Sequence, residues 1–160
     1  MAVELIDGQG VVIPPSGAAA SSVQGELFYA LRRWQDRTED GGLLLQDVFV
    51  ELPGHQFHAP DAAWWTATRR PAIREGAIDV VPDLVVEVLS PATRSNDLGV
   101  KRGYYLDVGV RELWLADPSA RTLTRARPSA EDEELSSADT LGTELLDGFS
   151  LALTRVFIAA

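Results

Sequence analysis

The sequence predicts a single α/β (α+β) domain, a mixed β-sheet flanked by helices, and three observations carry that reading. Val23, Leu27, Ala30, Leu31 and Trp34 recur at three- and four-residue spacing, as on one face of a helix. Leu84 to Leu89 is an almost continuous apolar run, the pattern of a strand buried on both faces at the centre of a sheet. Short β-branched segments joined by Asp-Gly and Asp-Pro turns stand near both ends, the pattern of hairpins.

The elements follow in order. Val3 to Ile6 and Val11 to Ile13 form a hairpin around Asp7-Gly8. Pro14-Pro15 breaks it, and the helix covers residues 19–36. Gly41-Gly42 ends the helix, Leu43 to Leu52 reads as one strand before a Pro53-Gly54 turn, and a strand pair continues to about Trp65. Residues 66–81 lack periodicity and are expected to be a long loop. After the 84–89 strand, Ser90-Pro91 is a stop, Ser95 or Asn96 a cap, and a helix carries Tyr104 and Tyr105 to about Gly109. Arg111 to Ala116 and Thr122 to Arg127 make the second hairpin, Glu131 to Glu134 a solvated loop, and Leu141 to Phe157 a closing strand and short helix. This order implies one domain over residues 1–160, with no internal repeat.

Composition narrows the chemistry. At 160 residues and 46% hydrophobic, the chain is long enough to bury a core. No apolar stretch has the length of a membrane span, and MAVELIDG lacks the layout of a secretory signal, so a soluble cytoplasmic protein is expected. With no cysteine, thiolate metal sites are excluded, and any bound metal must use carboxylates, carbonyls or the two histidines. That favours hard cations such as Mg²⁺. The net charge of −10 argues against coating nucleic acid by bulk electrostatics. The charge is uneven, however: residues 61–128 carry 9 acidic and 10 basic side chains, against 8 and 3 before them and 7 and 1 after them. If a polyanion is handled, the middle segment is the place.

Two Pro-Asp pairs stand out, Pro60-Asp61 and Pro82-Asp83, and the second leads to Glu87. Alternation along a strand puts Asp83 and Glu87 on one face, but four residues separate them by ~13 Å, too far for ligands ~2 Å from one Mg²⁺. Asp61 approaches from another strand and is the better partner for Glu87. A carboxylate buried among valines needs a metal, a cation or hydrogen bonds to offset its desolvation. Lys101, on the following helix and four residues after Asp97, is the nearest basic candidate; its ammonium suits orienting a water or stabilising charge on a phosphoryl oxygen. Asp83 is a strand-end or outer supporting group. His55 and His58 fit no metal-ligand spacing and are expected at the surface, while Trp64, Trp65 and Trp114 are expected in the core.

The segment PDLVVEVLSPATRSNDLGVKRGYYLDVGVRELWLADPSARTLTRAR closely resembles the core of the Uma-two family of restriction-endonuclease-like proteins, a group within the PD-(D/E)xK nuclease superfamily. ELIDG and HAPDAAWW fit the same family, so the resemblance spans most of the chain. It implies a restriction-endonuclease-like core and a Mg²⁺- or Mn²⁺-dependent endonuclease acting on DNA, with Asp61 and Glu87 as metal ligands. The usual lysine position, two after Glu87, holds Leu89, and the family pattern supplies the lysine from the next helix as Lys101. Many members also have a histidine near the first helix, where this chain has Ala20-Ser21-Ser22. The competing reading is a catalytically inactive nuclease-fold module that forms a homodimer or binds a partner, in which Glu87 makes only a structural salt bridge.

Overall fold

A computed structural model of the protein describes residues 2–158. It is a mixed α+β architecture built on a six-stranded sheet of order β10-β9-β8-β7-β6-β3, with a four-stranded sheet of order β2-β1-β5-β4 packed beside it. The strands of the large sheet are β3 (Leu43–Gln46), β6 (Ala62–Trp65), β7 (Leu84–Val88), β8 (Glu112–Asp117), β9 (Thr122–Ala126) and β10 (Glu133–Ser136). Those of the small sheet are β1 (Ala2–Ile6), β2 (Gln9–Ile13), β4 (Val50–Leu52) and β5 (Gln56–His58). β11 (Thr140–Gly142) and β12 (Ser150–Ala152) form a separate pair. Within the large sheet only β7 and β8 run parallel, joined by a helical crossover of the kind a parallel pair requires.

The apolar pattern determines how the sheet is covered. β7 is buried at every position, and its alternation sends Leu84, Val86 and Val88 to one face and Val85 with Glu87 to the other. The first face meets α1 (Ala18–Gln35) through Val23, Leu27 and Leu31, together with Phe149, Leu153 and Phe157 from the C-terminal segment. The second face meets Val50 and Leu52 of the small sheet and Tyr105 of the crossover. Trp64 and Trp114 fall on the first face and Trp65 on the second, so all three are core side chains as expected. Glu87 therefore projects into the layer between the large sheet and the elements that cap it.

Three expected boundaries differ. Leu43 to Leu52 is two strands, because the chain turns at Asp47, where φ is +48°, and passes from the large sheet to the small one. Residues 133–136 form the edge strand β10 instead of continuing a loop: Glu133 pairs with Arg125 of β9, and outward-pointing acids are compatible with a solvated edge. The helical crossover starts earlier, capped at Thr93, whose hydroxyl is joined to Ser90. It runs as α2 (Arg94–Asn96), a π-helical segment at Asp97–Lys101, and α3 (Arg102–Asp107). The wider turn of a π-segment, frequent at functional sites, bears Asp97 and Lys101 inward.

Candidate active site

β6 and β7 pair antiparallel with Ala62 opposite Val86. Continuing that register one step puts Asp61, the residue before β6, opposite Glu87 on the same face. Asp61 is fixed there because its Oδ2 accepts the Val88 N–H at 2.6 Å. The crossover after β7 folds back so that Lys101 Nζ lies 2.7 Å from Glu87 Oε1. The same ammonium is 3.1 Å from Glu4 Oε1 and 3.2 Å from Asp97 Oδ1. Glu87, Lys101, Glu4 and Asp97 are all almost fully buried. Tyr105, also buried, donates its hydroxyl hydrogen to Glu87 Oε1 at 2.9 Å.

The electrostatics follow from crowding several desolvated carboxylates around one ammonium. Burial raises the Asp61 pKa from 3.8 to about 6; the Val88 N–H and Lys101 oppose the rise, while Asp47 and Asp97 add to it. Glu87 is held well above the usual carboxylate range, chiefly by burial, with Lys101 opposing and Asp97, Asp61 and Glu4 contributing. Burial alone would lower the Lys101 pKa, but Glu87, Asp97 and Glu4 outweigh it and keep the ammonium charged. Tyr105 is held well above its usual value, by burial first and then by Glu87, so it stays a protonated donor.

Asp83 lies at the opposite end of β7 and does not join this cluster. Its fully buried carboxylate accepts the Thr66 N–H at 2.8 Å, pairs with Arg69, and lies 3.7 Å from Arg111. It anchors the 66–81 loop to the start of the strand. His58 corrects the expectation of a surface residue: it is 1% exposed, because β5 turns its side chain inward against Tyr104 and Tyr105. His55 is indeed exposed, beside Glu51. Glu4 was not legible as a member of this cluster, since it does not stand near Glu87 in sequence. The signal for Glu4 was an acid at an alternating position inside an apolar strand, the same anomaly that exposed Glu87.

The donor set fits a hard divalent ion. Oδ1 of Asp61 and Oε2 of Glu87 receive no hydrogen bond from the described residues, so each acid keeps an oxygen uncommitted. Among the described residues no three His, Asp or Glu side chains converge into a ready-made cage. Mg²⁺ does not need one, since it is commonly held by one or two carboxylates with waters and substrate phosphate completing the shell. An open cleft of about 600 Å³ is lined by Glu4, Asp47, Phe49 and Phe57, and Glu4 is the one member of the cluster that lines it.

A family model described as "Putative restriction endonuclease", Uma2, matches residues 1–154. The chain belongs to the Uma2 family. Among solved structures, a nuclease of DUF820 from Anabaena variabilis, itself described as putative, is similar to this Uma2 chain. Its TM-score is 0.85 at 21% identity, over 98% of this chain and 90% of that one, a likeness that establishes the shared fold. No curated protein matches the chain. Among the described residues of this Uma2 protein, no helix is long and apolar enough to cross a membrane.

Proposed function

We propose that this Uma2 protein is a Mg²⁺- or Mn²⁺-dependent endonuclease that hydrolyses phosphodiester bonds of DNA, with Asp61 and Glu87 as metal ligands and Lys101 as the cation beside the reacting phosphate. The observation that carries the reading is the approach of Lys101 Nζ to 2.7 Å from Glu87 Oε1, on the face where Asp61 stands opposite. Membership of a family described as "Putative restriction endonuclease" supports a nuclease.

The chain's own groups have distinct tasks. Val88 holds one oxygen of Asp61 and leaves the other free. Tyr105 and Lys101 both bind Oε1 of Glu87, which fixes the plane of that carboxylate and turns Oε2 away from them. A bound divalent ion supplies Lewis-acid polarisation of the phosphate and a water acidified enough to attack it. Lys101 would set its positive charge beside the reacting phosphoryl oxygen, an attraction that a low-dielectric pocket makes more effective than in water.

One observation favours the second reading, an inactive module that dimerises or binds a partner: the Lys101 ammonium has three carboxylate neighbours for its three N–H donors. A purely structural ion cluster would look the same. Incubating plasmid DNA with purified protein separates the two. Nicking that requires Mg²⁺ or Mn²⁺, stops with chelator and disappears in both Asp61→Asn and Glu87→Gln supports the enzyme. No nicking under any divalent ion, with the variants indistinguishable from wild type, supports the module. Cleavage that persists in excess chelator overturns the mechanism.

A further inference from the structure

A cavity of about 500 Å³ lies between α1 and the segment after β11, on the side of the large sheet opposite Glu87. Tyr29, Arg33 and Arg37 line one wall, and Phe149, Leu151 and Arg155 line the other. Tyr29 and Arg33 are four residues apart on α1 and share a face, and Arg37 follows in the turn after the helix. The Arg33 guanidinium lies 5.6 Å from the centroid of the Tyr29 ring. Trp34 Nε1 donates to the Asp147 carbonyl at 2.8 Å and ties the two walls together.

The charge gathered there is not offset from within. Three guanidinium groups meet two acids, Glu26 and Asp147, in a chain whose net charge is −10. Elsewhere the arginines find carboxylates: Arg32, Arg69, Arg94, Arg102 and Arg125 each pair with one. Among the described residues, Arg33, Arg37 and Arg155 pair with none. The helix dipole favours a cation at the end of α1, but it does not account for Arg155, which a separate element brings to the same cavity. Like charges four residues apart repel, so Arg33 and Arg37 together call for an anion.

We propose that this cavity binds a nucleoside phosphate, with Arg33, Arg37 and Arg155 taking the phosphate oxygens and Tyr29 bearing the base. Guanidinium forks match phosphate oxygens in two-point contacts, and aromatic rings stack on nucleobases. Tyr29 is 55% exposed, so ring surface is open to a ligand, while Phe149 and Leu151 supply apolar wall. The volume falls within the range of about 300–1,000 Å³ usual for small-ligand sites. Three cations in an acidic chain fall short of the extended basic face that a long polyanion takes, which favours a mononucleotide. Because the sheet separates this cavity from Glu87, the proposal does not rest on the metal-dependent reading.

The test is calorimetric titration of the full chain with ADP, GDP, adenosine and inorganic phosphate in excess EDTA, so that no metal ion at Asp61 and Glu87 contributes. ADP or GDP should bind saturably with a Kd below about 1 mM, and adenosine and phosphate alone should each bind at least about tenfold more weakly. Arg33→Ala and Arg155→Ala should each weaken ADP binding about tenfold. Tyr29→Ala should weaken ADP binding and leave phosphate binding within about twofold. Asp61→Asn should keep the wild-type ADP affinity, which separates this cavity from the Glu87 site. The three side chains replaced in the cavity sit at its surface, and a melting curve of each variant confirms that it is folded. No saturable ADP or GDP binding overturns the proposal, as does an ADP affinity unchanged in both arginine variants. Phosphate that binds as tightly as ADP, or a twelve-residue oligothymidylate that binds more tightly, overturns the mononucleotide assignment.

Discussion

Lys101 Nζ lies 2.7 Å from Glu87 Oε1 although the two residues are separated by 14 positions and belong to different elements. The crossover after β7 returns the lysine to the strand it left, and Glu4 and Asp97 then share the same ammonium. One buried cation thereby ties the small sheet, the π-segment and the large sheet together.

Lys101→Met should therefore destabilise strongly, because it leaves Glu4, Glu87 and Asp97 desolvated around no cation; breaking a buried ion pair in this way costs about 3–5 kcal/mol. The loss should depend on pH with a definite sign. Acids whose folded pKa lies above the unfolded value bind more protons in the native state, so stability falls as pH rises between the two values. The variant should lie closer to wild type at pH 5 than at pH 8. Urea unfolding at both values checks this, and an equal loss at both would mean that the cluster does not carry the charge assigned to it.

Asp61 gives a second pH signature. With its pKa raised to about 6 against an ordinary 3.8, its ionised form opposes folding above about pH 6. Asp61→Asn should accordingly melt higher than wild type without metal at pH 8, by about 1–3 kcal/mol, and the advantage should shrink toward pH 4. His58 acts in the other direction, since its lowered pKa takes stability away as pH falls below about 6.5. It is present in both proteins, so the difference between their melting curves isolates Asp61. Under the proposed function, divalent-ion affinity of the wild type should rise as pH increases through about 6, measured by calorimetry.

The central strand, α1, the helix with Tyr104 and Tyr105, and the second hairpin were legible because burial imposes period and composition on them. Glu87 was legible for the same reason, as a charge where only apolar residues belong. The division of Leu43–Leu52 between two sheets was not, since it depends on a left-handed turn at Asp47, and aspartate tolerates that conformation without advertising it. His58 was misplaced because a short half-polar strand does not say which face is covered. Only the docking of the small sheet decides that.

Asp83 stands apart from the acids gathered around Lys101. Its carboxylate is fully buried and engaged by Arg69 and by the Thr66 N–H, at the end of β7 away from Lys101. Asp83→Asn should lower stability by about 1–3 kcal/mol through the weakened pair and leave divalent-ion affinity of the folded protein within about twofold. Chemical denaturation and metal titration on the same preparation check it. A variant of normal stability that has lost metal binding would reverse the roles of Asp83 and Asp61.

Tyr105 offers the most discriminating substitution, because removing one oxygen atom changes the support of Glu87 and little else. Its ring packs in the core and against His58, and Phe preserves both contacts. What Tyr105→Phe removes is the hydroxyl hydrogen bond to Glu87 Oε1 at 2.9 Å, an interaction with a charged acceptor worth about 1.5–3 kcal/mol. If Glu87 serves only in a structural ion cluster, the variant should lose stability and nothing more. If Glu87 ligates a metal, its orientation also matters, and loss of an outer-shell hydrogen bond typically weakens metal affinity by about 10–100-fold. The expected result is both effects together, with the Mn²⁺ Kd raised at least about tenfold. A stability loss accompanied by an unchanged Kd would remove Glu87 from the ligand set and favour the inactive module.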